Sequence, residues 1–191
     1  MANDLSLELA HKLIAENVTE PHLLTHALAV SAAMRQMGIH FGEDADLYEA
    51  VGYVHDVDYQ KFPEEHCGHV REILAPHGVS ETVIRAVMSH GWGLMNDVKP
   101  ESNIEKSLYT VDELTGIVHA AALMRPTRIA DMEVKSVIKK FKDKAFAAKC
   151  NREVIKAGCA MLGLELEKVV ELCITGMREK ADELGLSPKN P

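Results

Sequence analysis

The sequence lacks the features that mark secreted, disulfide-bonded and membrane-spanning proteins. Four cysteines are scattered without a C-x-x-C pair: Cys67, Cys150, Cys159 and Cys173. We interpret them as reduced packing residues, which excludes a disulfide framework. No apolar run reaches the roughly 18 residues that a membrane-spanning helix needs, and the acidic start, Met1–Leu5, lacks the basic and apolar zones of a signal peptide. We therefore expect a cytoplasmic protein with no membrane partner.

Positive charge is also scarce. The chain has 21 Lys and Arg against 29 Asp and Glu, which gives a net charge of −8. Because binding of a phosphate backbone needs clustered Lys and Arg, the composition argues against a nucleic-acid partner. A local basic patch would still serve a small anionic ligand, and one Lys-rich segment lies between residues 135 and 152.

Runs of alternating β-branched residues are nearly absent, whereas apolar residues recur at spacings of three and four. This periodicity predicts an all-α fold. With 191 residues, 47% of them hydrophobic and only 12 glycines and 7 prolines, the chain can bury one substantial core. We therefore expect a single-domain helical bundle over residues 1–191, with no repeat and no linker.

Capping and breaking residues set the predicted helix limits. Thr19 and Pro21 begin the second helix, Ser80 caps the fifth, and Arg125-Pro126 ends the sixth. Residues 127–150 are mixed and Lys-rich. The predicted helices cover about residues 4–16, 19–38, 44–55, 65–75, 80–90, 103–124, 151–162 and 165–184.

Histidine is abundant, and five of the ten histidines fall between residues 55 and 90. On the predicted helices, several ionisable residues share a face with apolar neighbours and should point inward: His26, His55, His66, His90 and Asp112. Burying so many ionisable groups costs several kcal/mol each, by order of magnitude, unless they are paired. A shared divalent cation pairs them all, so the pattern predicts a metal site.

The doublet His55-Asp56 strengthens this prediction. Consecutive residues near a helix end diverge by about 100°, so both can reach one ion from the same turn. A set of histidines and carboxylates without a thiolate suits Mn, Fe, Co, Ni or Zn in a catalytic site better than a structural zinc. The sequence leaves both the metal and the number of ions, one or two, open.

The order His26, His55-Asp56 and Asp112 resembles the H…HD…D pattern of the HD-domain metal-dependent phosphohydrolases. The resemblance extends over about residues 20–175 and includes the stretches HDVDYQKFPEEHCGHVREIL, VIRAVMSHGWG, VDELTGIVHAAALMRP and VKSVIKKFKDKAFAA. The chain looks like a small prokaryotic single-domain branch of that superfamily. The resemblance implies a metal-site core over about residues 20–125, followed by C-terminal helices over 126–185.

The resemblance also implies roles for individual residues. In members with two metals, further histidines hold the second ion and the doublet Asp bridges; His66 and His90 occupy those places, with His69 as the competing choice. Asp58 would act as a general base or orient the attacking water, although a solvated loop Asp explains it equally well. This chain follows its doublet with Val-Asp rather than Gly, so the cyclic-dinucleotide substrates of the Gly-bearing subgroup are not carried over.

The implied reaction is hydrolysis of a small phosphoester, such as a nucleotide or another phosphomonoester, by a metal-activated water. We expect Arg125, Lys140 and Lys144 to bind the phosphate, although the Lys-rich run is explained equally by a solvated helix. Two alternatives stay open: a di-iron oxygenase of the same fold, and a non-catalytic module that binds metal or nucleotide. Leu172 and Met177 on the last helix would permit a homodimer, and a core role explains them as well.

Overall fold

In a computed structural model, which describes residues 5–188, the chain is helical, as the sequence predicts. The described part contains nine α-helices, two short 3-10 turns at Pro63–Glu65 and Ala75–His77, and no β-strand. The helices are α1 Leu7–Asn17, α2 Pro21–Phe41, α3 Ala45–Val54, α4 Val70–Leu74, α5 Glu81–Ser89, α6 Asn103–Leu123, α7 Val134–Lys142, α8 Arg152–Leu162 and α9 Leu166–Glu179. Residues 1–4, which carry the signal-peptide argument and the start of the first predicted helix, lie outside the described residues.

Local capping explains where most helices begin. The Ser80 side chain accepts a hydrogen bond from the backbone N–H of Val83 at the start of α5, which confirms the predicted cap. At the start of α6, Ser102 and Glu105 form a capping box, in which each side chain accepts from the backbone of the other residue. α2 continues past Gly38 to Phe41 and ends at Gly42, whose positive φ of 66° suits a residue without a side chain.

α2 and α6 are the central helices of the bundle. α2 packs against α3, α6 and α9, and α6 packs against α8. α9 crosses α2 closely at Gly176, where a Cβ atom would lie 2.1 Å from the backbone oxygen of Ala32. Leu172 and Met177 on α9 are buried in the core, so neither offers an exposed apolar surface for a homodimer.

Two segments differ from the predicted helices. The predicted helix over 65–75 is confined to α4, Val70–Leu74, because His66 has an extended ψ of 142° and Cys67 a positive φ of 67°. The Lys-rich segment contains α7, which buries Val137 and Phe141 and presents its lysines outward. Among the described residues, no helix is both long and apolar enough to cross a membrane.

Candidate metal centre

The residues of the predicted metal site come together from five elements. His26 lies on α2, and the doublet His55-Asp56 directly follows α3. His66 follows the 3-10 turn at Pro63–Glu65, whereas His90 directly follows α5 and Asp112 lies in the middle of α6. Residues far apart in sequence therefore meet where three helix ends face the central pair of helices.

His26, His55 and Asp112 form a first donor group. Nε2 of His26 lies 2.8 Å from Oδ1 of Asp112 and 3.2 Å from Nε2 of His55. Nε2 of His55 lies 3.4 Å from the same oxygen of Asp112. One ligand atom from each residue lies within 4.8 Å of the others, which is the size of a single cation site.

His66, Cys67 and His90 form a second donor group. Nε2 of His66 lies 2.9 Å from Nε2 of His90, and Sγ of Cys67 lies 3.7 Å from Nε2 of His90. These three ligand atoms also lie within 4.8 Å of one another. Because the sequence pattern indicates only a packing role for Cys67, the thiol is the unexpected member of this group.

Asp56 lies between the two donor groups and faces both. Its Oδ2 atom lies 3.4 Å from Nε2 of His55 and 3.7 Å from Nε2 of His26. Its Oδ1 atom lies 3.2 Å from Nε2 of His66 and 3.6 Å from Nε2 of His90. A carboxylate with one oxygen toward each group can bridge two cations.

The hydrogen bonds of the ring Nδ1 atoms show that the Nε2 atoms are available as ligands. Nδ1 of His55 donates to the Gly52 carbonyl at 2.7 Å, and Nδ1 of His90 donates to the Val87 carbonyl. Nδ1 of His66 donates to Oδ1 of Asp58 at 2.8 Å. With hydrogen on Nδ1, each neutral ring presents a lone pair at Nε2.

Two such lone pairs face each other in the second donor group, where Nε2 of His66 and Nε2 of His90 are 2.9 Å apart. Two neutral nitrogens would have no hydrogen to share, so this contact needs a positive charge, which is a cation when metal is bound and a proton on His66 in the metal-free protein. Two partly buried carboxylates that also need a positive charge nearby, Asp56 and Asp112, adjoin these rings. The donor set therefore fits one or two divalent cations.

The electrostatics of the cluster lead to the same conclusion. Burial alone would lower the pKa of His55, but the Asp56 and Asp112 carboxylates outweigh it and raise the pKa to about 9. Burial likewise opposes protonation of His66, yet Asp56 and Asp58 raise its pKa to about 12. Burial would raise the pKa of the Asp56 and Asp112 carboxyls, but the neighbouring histidines hold both well below their ordinary range.

Protons are therefore expected to compete with metal for this site. At pH 7 the metal-free protein holds protons on His55 and His66, because both pKa values lie above 7. A cation must displace them, so binding should release protons and should strengthen as the pH rises. Calorimetry of zinc binding in two buffers with different ionisation enthalpies measures this release.

His69→Ala is the matched control for proton release. Both ring nitrogens of His69 are hydrogen-bonded to glutamates, at 2.9 Å to Glu72 and 2.7 Å to Glu65, outside both donor groups. The variant should therefore release as many protons as the wild type. Equal heats of zinc binding in the two buffers would contradict the proposed role of the cluster.

A cleft of about 220 Å³ opens onto Asp56 and the second donor group. Its described lining comprises Asp56, Tyr59, His66, His90, Gly91, Leu94, Met95, Asp112, Glu113 and Val154. Tyr59, Glu113 and the apolar residues among them have no signal in the sequence, because only the folded chain brings these segments together. Burial raises the pKa of Glu113, which also accepts a hydrogen bond from the backbone N–H of Asn151.

Asp58 and His69 lie outside the two donor groups. Asp58 is fully buried behind His66, and its Oδ2 atom accepts from the backbone N–H of His69 at 3.2 Å. It is thus not a solvated loop residue, and it contacts an imidazole rather than the cleft. Of the two competing histidines, His66 lies beside Asp56, whereas His69 pairs with glutamates.

The three predicted phosphate-binding residues are not among the described residues that line the cleft. Arg125 binds Asp131 at 2.7 Å and lies thirteen residues after Asp112, roughly 20 Å along the helix at 1.5 Å per residue. The ammonium group of Lys140 lies 4.6 Å from the centre of the Phe146 ring. Lys144 is exposed and lines a separate groove with Lys149 and Arg152.

Comparison with protein families gives an independent assignment. Residues 23–117 match the family model described as HD domain, and this segment contains all the described donors of both groups. The chain therefore belongs to the HD-domain family, a superfamily composed mostly of metal-dependent hydrolases. Comparison with curated proteins and with solved structures gives no significant match.

Proposed function

We propose that this protein is a metal-dependent phosphohydrolase that releases phosphate from a small phosphomonoester. The observation that carries the proposal is the position of Asp56, whose two carboxylate oxygens face separate donor groups at 3.2 to 3.7 Å. This arrangement provides for two adjacent cations, and adjacent cations suit displacement at phosphorus.

Each donor group has a defined part in this proposal. His26, His55 and Asp112 would hold the first cation, and His66 with His90 the second. When bound, the cations supply Lewis-acid stabilisation of the phosphoryl group and acidify a water molecule.

The buried carboxylate of Asp58 fixes the ring of His66 through its Nδ1 atom, so that Nε2 faces Asp56. This orienting contact replaces the general-base role for Asp58. The partial burial of Asp56, which is 15% exposed, keeps its carboxylate poorly solvated and its interactions strong.

The lining of the cleft favours a substrate with a single phosphate group. Among the described residues that line it, no Lys or Arg is present, and Glu113 adds an acidic group. Additional phosphates would therefore find no cationic side chain beside the metal ligands. Tyr59, Leu94 and Met95 are 40 to 59% exposed, so the rest of the substrate would lie against an open, largely apolar rim.

The direct test is metal analysis of the purified protein together with phosphate release from a panel of compounds. We expect bound transition metal and faster turnover of phosphomonoesters, including nucleoside monophosphates, than of the matching di- and triphosphates, by about tenfold or more in kcat/KM. Metal with oxygen uptake but no phosphate release would favour an oxygenase. Metal with tight nucleotide binding but no turnover would favour a binding module.

A further inference from the structure

Cys67 differs from the other cysteines in what its side chain faces. It is 1% exposed, and its Sγ atom lies 3.7 Å from Nε2 of His90. Cys159 and Cys173 lie within α8 and α9 and belong to the apolar core. Only Cys67 among the described cysteines joins a group of potential metal donors.

The backbone directs this thiol toward the histidines. Cys67 has a φ of 67°, a conformation that residues with a Cβ atom rarely adopt, although the next residue, Gly68, would adopt it easily. The turn at this point reverses the chain between the 3-10 turn at Pro63–Glu65 and α4. His66 and Cys67 consequently both point at His90 instead of at opposite sides of the loop.

Gly91 leaves the space that the sulfur occupies. A Cβ atom at this position would lie 2.7 Å from Sγ of Cys67, which is closer than any normal contact. A side chain at residue 91 would therefore force a shift at the position that the thiol occupies. The absence of a side chain at residue 91 thus keeps His90 and Cys67 within ligand distance of one centre.

We propose that the Cys67 thiolate is a ligand of the second cation, together with His66, His90 and Asp56. This inference rests on the metal centre of the proposed function and adds a sulfur donor to it. When the sulfur–metal bond forms, the S–H bond breaks and its proton passes to solvent. A soft sulfur donor makes the second site selective for zinc, iron or cobalt over manganese and magnesium.

Cobalt(II) titration of the metal-free protein tests this ligand directly. A thiolate bound to cobalt gives an intense charge-transfer absorption in the near ultraviolet, which nitrogen and oxygen donors do not give. We expect this absorption in the wild type and in the control Cys159→Ser, and its loss in Cys67→Ser. The second cobalt should bind about 100-fold more weakly to Cys67→Ser, and the affinity for the first should be unchanged. Loss of a residue that only hydrogen-bonds to a ligand already lowers metal affinity by about 10–100-fold, and loss of a ligand should lower it at least as much.

X-ray absorption of the zinc-loaded wild type gives a second measurement that needs no variant. A sulfur neighbour at about 2.3 Å from zinc, averaging half a sulfur per ion when two zincs are bound, is the expected result. The absence of sulfur from the zinc shell would overturn the proposal. So would a cobalt charge-transfer absorption that persists in Cys67→Ser.

These results separate the ligand from the activity. Sulfur bound to metal in a protein that releases no phosphate would leave Cys67 as a ligand and reject the phosphohydrolase. Phosphate release by a protein with two metals and no metal–sulfur bond would keep the phosphohydrolase and reject Cys67.

Discussion

Asp56→Ala is expected to remove both the bound metal and the phosphate release of the protein. Among the described residues, this carboxylate has one oxygen toward each donor group, so its loss weakens both cation sites at once. The substitution also leaves the facing Nε2 atoms of His66 and His90, 2.9 Å apart, without the nearby negative charge. We expect kcat/KM to fall by at least about 1,000-fold, and metal content to fall below one ion per chain. Elemental analysis and a phosphate-release assay on the same preparation measure both effects.

Asp97→Asn is the matched control for this substitution. Asp97 is an exposed aspartate in the loop between α5 and α6, outside both donor groups. Its replacement should leave metal content and kcat/KM within about twofold of the wild type, because a surface substitution of this kind changes little. Circular dichroism establishes that Asp56→Ala is folded. A folded Asp56→Ala protein with full metal content and activity would reject the bridging role.

Much of the fold follows from local sequence signals. Ser80 and Ser102 begin their helices as capping preferences predict, and the apolar spacing of three and four residues defines the buried faces. For the Lys-rich segment, a solvated helix was one of two interpretations and had no predicted limits, and α7 occupies part of that segment. The apolar positions that α7 buries, Val137 and Phe141, are four residues apart, but the surrounding lysines obscured this short signal.

The fourth predicted helix, over residues 65–75, was too long for a different reason. The apolar spacing around His66 and Val70 suggests one helix over 65–75, yet the chain turns sharply at Cys67 before α4 begins. A positive φ at a cysteine has no propensity signal, and the residues that the thiol approaches, His90 and Gly91, belong to another segment. The sequence could therefore indicate the histidines at this turn but not the position of the thiol beside them.

In the candidate site, too, some residues could be predicted from the sequence and others could not. His26, His55 and Asp112 could be assigned from helix faces, because three and four residue spacings fix which side chains point inward. The contact of Asp58 with His66 depends on the path of a loop, which spacing does not determine. Arg125, Lys140 and Lys144 were assigned to the phosphate by their charge and their helix positions, which do not show which residues border a cleft formed by distant segments.

Removal of the metal should lower the midpoint of thermal unfolding by about 10 °C. A ligand present at about 1,000 times its Kd stabilises the folded state by roughly 4 kcal/mol, and a chain of this size shifts by about 2–4 °C for each kcal/mol. The metal-free protein still retains protons on His55 and His66, whose raised pKa values partly offset the loss near pH 7. Raising the pH toward 9 removes the proton from His55 and with it that partial compensation. The destabilisation by a chelator should therefore be larger at pH 9 than at pH 7, as calorimetry with and without chelator can measure.

The same experiment on Asp56→Ala distinguishes a metal effect from an effect of the chelator on the protein. Because this variant is expected to bind little metal, the chelator should shift its midpoint by less than about 2 °C at either pH. Reloading the wild type with zinc should restore the original midpoint, since the donor groups are held by helix ends that remain folded below the transition. An equal loss of stability in both proteins would mean that the cluster of His26, His55, Asp56 and Asp112 does not couple metal binding to folding.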